Sequence, residues 1–202
     1  MSYLETKPRI TGKKPKDTQT SAVSEAPGET RRFSESAREY LLSEGYLIYE
    51  LTGQSIEDLR KKESLEINQH LDLSVANFEK LSSMRSEVAI NPNNFLMQVS
   101  NNKTLPEQEI MIKAFSEKLK TEVRDVEAVM GQVPDYAELW FKYKRETGGC
   151  LLGQRFGRTK TPSGIYSNAD VGADHRGFVI SFSNTNDSSE DLYAGVLLVP
   201  AA

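Results

Sequence analysis

The sequence predicts an α+β protein in which N-terminal helices with short strands precede a small C-terminal antiparallel sheet. Three observations carry this expectation. Two stretches before residue 149, "TLPEQE" and "PDYAELWFKYKRETGG", join helix-start chemistry to apolar residues at helical spacing. After Gly148–Gly149 that spacing gives way to "GFVISF" and "LYAGVLLV", which read as strands. Residues 1–32, by contrast, are rich in Lys, Thr, Ser, Pro and Gly, with almost nothing to bury. That segment cannot offset its ordering entropy and is expected to be a flexible basic arm. The rest, 33–202, is expected to form a single domain, mainly helical over 33–148 and mainly β over 149–202.

The elements follow in order. Ser34 can cap a helix that places Phe33, Ala37, Tyr40 and Leu41 on one face, with Gly45 as its stop. "YLIYEL" at 46–51 reads as a strand, and Gly53 turns the chain into a helix with Ser55 as cap and Asp58 three residues on. Leu71, Val75, Phe78 and Leu81 recur at helical spacing and predict a helix there. "SEVAI" and "FLMQVS" read as strands separated by the turn-forming "NPNN". Thr104, Pro106 and Glu107 form a capping box for a helix that turns Ile112, Phe115 and Leu119 inward. In the next helix Asp135 is expected to cap and Glu138 to answer it, with Tyr136, Leu139, Trp140 and Tyr143 on one face. "CLLGQRFGRTKT" reads as one or two strands broken by glycines. In "GFVISF", Phe178, Ile180 and Phe182 alternate with Val179, Ser181 and Ser183, a strand with one wet face. "LYAGVLLV" is apolar on both faces and belongs inside a sheet.

Composition narrows the function classes. Hydrophobic residues make up 38% and charged residues 27% of 202, as in a soluble globular protein. No apolar run approaches the ~20 residues of a membrane helix, and the start lacks a secretory core, so a cytoplasmic protein without membrane contact is the default expectation. The single Cys150 excludes an internal disulfide and a cysteine-based zinc site. His70 and His175 lack metal-type partners at helical spacing, so neither a metal nor a cofactor is expected. The net charge is −4, and residues 161–202 carry one Arg against five acids, which disfavours nucleic acid as a partner. Phosphate-loop and nucleophile-elbow motifs are absent.

Two short constellations remain. "DHR" at 174–176 could hold an imidazole oriented by Asp174, the minimum for general-base work, with Cys150 or Arg158 as helpers. A polar loop before a strand explains the same residues without catalysis, and a small buried side chain explains Cys150. "RFGRTK" sets Phe156, Arg158 and Lys160 on one strand face, a pattern compatible with stacking and phosphate contacts; beside an acidic tail, its three basic residues are rather expected to protect an exposed edge strand from pairing.

The closing stretch has a different character. From Tyr166 to Tyr193, fifteen of twenty-eight residues are Tyr, Ser, Asn, Asp or His, and none is Lys. Such residues serve paratopes, where Tyr gives broad contact at low entropic cost and Ser and Asn adapt their hydrogen bonds. The same set arises when the adenines of an Asn codon are substituted. In this the stretch resembles the variable C-terminal region of proteins diversified by retroelements, which commonly have a C-type-lectin-like fold. "GFVI" at 177–180 is similar to the Gly-Phe near the end of such folds, although Val179 stands where that family usually has Arg. "SEGYLIYELTGQSI" and "RSEVAINPNNF" also look similar to uncharacterised bacterial proteins of this layout.

The resemblance implies a ligand-contacting set of Tyr166, Ser167, Asn168, Asp170, Asp174, His175, Asn184, Asn186 and Asp187, over a scaffold of Phe178, Ile180 and Phe182. The resulting expectation is a non-catalytic recognition module that meets a protein or small ligand through its C-terminal loops. Its rivals are an enzyme using Asp174 and His175, and a self-assembling structural protein of the phage type. Plain turn formation by Asn, Ser and Asp competes with all of them.

Overall fold

A computed structural model describes residues 29–63, 68–69, 78–175 and 177–202. Of the arm expected over 1–32, residues 1–28 lie outside the described residues, as do most of the helix expected over 71–81, His70 and Arg176. The arm's last residues are tied down instead, Arg31 N donating to Arg85 O at 3.2 Å and Arg31 O accepting from Glu87 N at 2.8 Å. The described residues form two sheets and four α-helices: α1 (Glu35–Ser43), β1 (Leu47–Thr52), α2 (Ile56–Glu63), β2 (Asn68–Gln69), β3 (Arg85–Ile90), β4 (Leu96–Met97), α3 (Leu105–Glu122), β5 (Val126–Val129), α4 (Val133–Thr147), β6 (Phe156–Pro162), β7 (Ser167–Asp174), β8 (Gly177–Asn184), β9 (Leu192–Gly195) and β10 (Leu197–Pro200). The fold is α+β.

Local chemistry accounts for the helix starts. Ser34 Oγ accepts from Ala37 N, and Gly45 stops α1 with φ 77°. Glu107 accepts from Thr104 N at 2.8 Å and from its hydroxyl at 2.9 Å, completing the expected box. At α4 the box lies three residues earlier than the sequence suggests. Gln132 is the cap and Asp135 the third helical residue, taking Gln132 N at 2.7 Å. Pro134 explains the offset, because its missing N–H is harmless only in the first helical turn.

The first sheet, ordered β1-β3-β10-β5, is antiparallel throughout. Helices α1 and α3 cover one of its faces, where Phe33, Ala37, Leu41, Ile112 and Leu119 meet Ala89, Ala128 and Leu198. The second sheet is mixed, ordered β8-β7-β6-β9-β4, with β2 added in parallel at the β8 edge. Between the sheets lies α4. Its Tyr136, Leu139, Trp140 and Phe141 share one core with Leu51, Val88 and Leu197 of the first sheet and with Val171, Phe178 and Ile180 of the second. Burying each large apolar side chain there contributes about 1.5–3 kcal/mol.

The C-terminal expectations need three corrections. "FLMQVS" is only partly strand: β4 is two residues long, and Gln98–Ser100 forms a 3-10 turn whose Ser100 hydroxyl holds Ala194 N at 2.8 Å. The C-terminal strands do not make one antiparallel sheet, since "LYAGVLLV" divides. Its first half, β9, pairs with β6 in parallel, and its second half, β10, enters the first sheet. The switch falls at Gly195–Val196, where Gly195 O accepts from the Tyr136 hydroxyl at 2.9 Å and Val196 N donates to Phe95 O at 3.1 Å. A Cβ on Gly195 would lie 3.0–3.1 Å from that tyrosine, so close approach is what the glycine supplies there. Finally, β6 is no edge strand. It lies between β7 and β9, and Arg158 is 1% exposed.

Parallel pairing of β6 with β9 forces the chain to recross the sheet. β8 ends opposite Ser167, whereas β9 starts beside Phe156 at the other end of β6. Residues 185–191 make this return over the face opposite α4, and α3 docks on them: Leu105 N donates to Thr185 O at 3.0 Å and Asn102 N to Ser189 O at 2.9 Å.

The edge of β1 is closed by α4. Glu138 accepts from Thr52 N at 3.0 Å, the Thr52 hydroxyl at 2.8 Å and the Ser83 hydroxyl at 2.5 Å, and pairs with Lys142 at 2.9 Å. Lys142 also donates to Glu50 O. The pair therefore occupies backbone groups that an open edge would offer to another chain. Glu138→Ala leaves several buried donors without an acceptor and should lower unfolding stability by about 3 kcal/mol, read from the urea midpoint at unchanged slope. Lys61→Ala, which breaks an exposed pair with Glu57 on α2, should leave that midpoint nearly unchanged.

Candidate recognition surface

The residues singled out at the C-terminus fall into three places. Asp174 and His175 stand exposed at the β7–β8 turn, with Asp174 accepting from Gly177 N at 3.2 Å. Tyr166, Ser167, Asn168, Asn184, Asn186 and Asp187 collect at the opposite end of the hairpin, because the register pairs Ser167 with Asn184 and Asp174 with Gly177. At ~3.4 Å per residue the two groups are roughly 24 Å apart. Asp170 lies between them, only 3% exposed.

Within the larger group most side chains are committed to the chain's own turns. Asp187 Oδ2 accepts from Asn184 N at 3.0 Å, and Asn184 Oδ1 accepts from Asn186 N at 2.9 Å. Such side-chain-to-backbone bonds are how Asn and Asp build turns. The Ser167 and Ser163 hydroxyls bond each other at 2.9 Å, and Asn168 Nδ2 donates to Thr159 O at 3.1 Å. Thr185 N donates to Tyr166 O at 2.9 Å, tying the two loops together. What remains open is the tip: Ile165 at 91% exposure, Tyr166 at 69%, and the exposed Asn186 beside them. The sequence reading missed Ile165, which is flanked by Gly164 and Tyr166 in a loop where an isoleucine has nothing of its own to cover.

Behind this end lies a buried polar group. Asp170 and Arg158 are directly opposed across β7 and β6, on the sheet face under residues 185–191. Arg158 donates through Nη1 to Thr185 O at 3.3 Å and through Nη2 to Asp187 O. Its Nε, together with Asp170 Oδ1 and Ser183 Oγ, has no hydrogen-bond partner among the described residues. Burial pushes the Asp170 carboxyl up to about 7; the nearby Ser183 hydroxyl and the Arg158 charge pull the other way, and Asp187 adds to the rise.

The buried carboxyls of α4 make the comparison. Asp135 accepts from Met84 N and Gln132 N, both at 2.7 Å, and burial still lifts it to about 6. At Glu138 burial also raises the pKa, but Ser83, Lys142 and Thr52 together outweigh it and hold the carboxyl below its ordinary value. The number of donors decides the order.

No site of another kind is assembled from the remaining candidates. Cys150 donates to Gly153 O at 3.9 Å and lines a 260 Å³ cleft with Phe95, Leu152 and Arg155; His175 is not among the lining residues. A 390 Å³ cleft between α3 and β5 carries Lys113, Lys160, Glu109 and Glu127, and a 300 Å³ cleft carries Tyr46, Met97, Phe115 and Leu198. Neither includes a residue of the hairpin end. Among the described residues no group of three or more His, Cys, Asp or Glu could hold a metal ion, and no helix is long and apolar enough to cross a membrane. Comparison with protein-family models, curated proteins and solved structures finds no match.

The carboxyls fix a pH dependence. A carboxyl whose pKa rises on folding binds its proton more tightly when folded, so its effect on stability is most favourable below the unfolded value of 3.8 and declines as pH climbs to the folded value. Asp135 acts up to about pH 6 and Asp170 up to about pH 7. Asp170→Asn should therefore flatten the decline between pH 6 and 7 while leaving the part below pH 6 that belongs to Asp135. Urea midpoints measured across this range check the assignment.

Proposed function

We propose that this protein is a non-catalytic recognition module that meets a protein or small ligand through the end of the second sheet formed by residues 163–167 and 184–187. The observation that carries the reading is the exposed Ile165–Tyr166 tip on a backbone held by its own hydrogen bonds. A surface already ordered before contact avoids much of the entropy cost of binding. Tyr166 offers broad amphipathic contact with few rotatable bonds, and Asn186 offers an adaptable amide beside it. Ile165 and Tyr166, if covered by a partner, would together contribute about 3 kcal/mol or more from burial alone.

Asp174 and His175 belong to the far end of the hairpin and are not part of this surface. The retroelement-diversified, lectin-like form of the proposal draws on the Tyr, Asn, Ser, Asp and His composition of 166–193. It adds its own expectation: a near-copy of the gene's 3′ end, differing at adenines and beside a reverse transcriptase.

A photo-crosslinking amino acid placed at 166 or 186, in the full chain in its native cell, should give a discrete adduct. The same group at 175 should give none. Adducts at 175 alone, or none at any position, would overturn the proposal. An adduct with a second copy of the chain, growing with concentration, would instead favour the assembly reading.

A further inference from the structure

We infer that Arg158 is a positioning residue for the recognition turn and is shared between two alternative anchors: the turn carbonyls of Thr185 and Asp187, and the Asp170 carboxylate across the strand pair. This deepens the proposed function, on which it rests for its biological meaning. The anchor itself exists whether or not a partner binds there.

The first anchor is the one observed. Two guanidinium nitrogens reach Thr185 O and Asp187 O, the carbonyls of the segment that recrosses the sheet. The second is within reach. Directly opposed residues of an antiparallel pair have Cβ atoms about 4.5–5.5 Å apart, a span an arginine side chain bridges easily. The atoms left over are complementary: Arg158 Nε is a buried donor and Asp170 Oδ1 a buried acceptor, both unpartnered among the described residues. In the observed pose these two atoms do not meet, so joining them requires the guanidinium to shift away from the turn, and leaving both buried without partners favours that shift.

Ionisation of Asp170 selects between the two. The charged groups that face it among the described residues are Arg158 from β6 and Asp187 from the turn, while β8 presents the neutral Ser183. When Asp170 is neutral, the turn carbonyls are the stronger acceptors available to the guanidinium. When it is charged, a charge-assisted bond to carboxylate outcompetes a bond to a neutral carbonyl. Arg158 remains cationic throughout, since a guanidinium does not lose its proton at these pH values. Burial places the carboxyl's midpoint at about 7. Above that pH Arg158 leaves the turn carbonyls for Asp170, and the segment keeps the bonds from Leu105 N and Asn102 N and those of its own turn.

The test is a pH titration of the full-length, isotopically labelled protein by NMR from pH 5 to 9, without any partner. The amides of Asn186 and Asp187, and that of Leu105, which donates to Thr185 O, should shift together with the Arg158 Nε–H resonance, with a common midpoint near 7. Asp170→Asn should abolish the shared titration and leave the amides at their low-pH positions. Resonances that stay flat in the wild type, or that titrate equally in Asp170→Asn, would overturn the inference. If that variant does not fold, the wild-type Arg158 Nε–H still decides: it must move with the turn amides. Because no ligand is present, failure here is distinct from failure of crosslinking at 166.

Discussion

The last strand of this protein serves two sheets, and much of the architecture follows from that constraint. Leu192–Gly195 pairs with β6 and β4, and Leu197–Pro200 pairs with β3 and β5. Two sheets joined through one strand must lie close, and the space between them is filled by α4, whose first nine residues are all buried. The same strand must begin at the far end of β6 from where β8 finishes, so the chain recrosses the sheet at 185–191. The central helix and the looped-over outer face are thus two consequences of one pairing choice. Tyr136 sits at the junction, accepting from Gly131 N at 2.8 Å and donating to Gly195 O at 2.9 Å.

A helix enclosed in this way cannot hydrate its own acids, and the protein meets the difficulty with donors from neighbouring backbone. Glu138 takes Thr52 N, Asp135 takes Met84 N, and on β3 the buried Glu87 takes Phe33 N at 3.0 Å while Arg38 pairs with it. Each carboxylate therefore pins a segment distant in sequence: the end of β1, the approach to β3, the entry to α1. Breaking such a bond exposes the charge and frees the segment together, which makes these acids part of the tertiary framework. Asp170 is different in kind. Burial makes its proton hard to remove, and the arginine opposite it offsets that burial less than a set of backbone donors would.

Much of the local structure was legible in the sequence because it is set by neighbours a few residues apart. The Thr104–Glu107 box, the Gly45 stop and the Ser55–Asp58 pair appear as their spacing suggests, and Phe178 and Ile180 enter the core as expected, but Val179, on the face expected to be wet, is buried. The departures come from pairings between distant segments. Nothing within "RFGRTK" announces that β9 will run parallel beside it, so an arginine suited to an open edge lies on an interior strand. Nothing within "LYAGVLLV" announces a change of sheet beyond the glycine that makes it possible. The polar run at 184–191 was rightly separated from the core, yet its composition could not tell an outward loop from one laid over a sheet. Asn184 and Asp187 are equally suited to contacting a partner and to closing a turn; each accepts a turn amide through one side-chain oxygen while standing exposed.

Those turn bonds concentrate the candidate surface on few side chains. A polar loop crossing a sheet brings its own carbonyls over a strand face, and those carbonyls need donors that an apolar face would not supply. Arg158 provides two of them from beneath, and Leu105 N and Asn102 N provide others from the start of α3. A loop held from below and from the side has little freedom left in its backbone. Its variable element is then the identity of the side chains pointing away, which is where Tyr166 and Asn186 stand. Arginine suits the lower position because its several donors can reach two carbonyls at once. Asp170, opposed to it across the strand pair, lies on the strand that leads directly out of the exposed tip, so the group that steadies the crossing segment and the group that presents the tip are coupled through one strand pair.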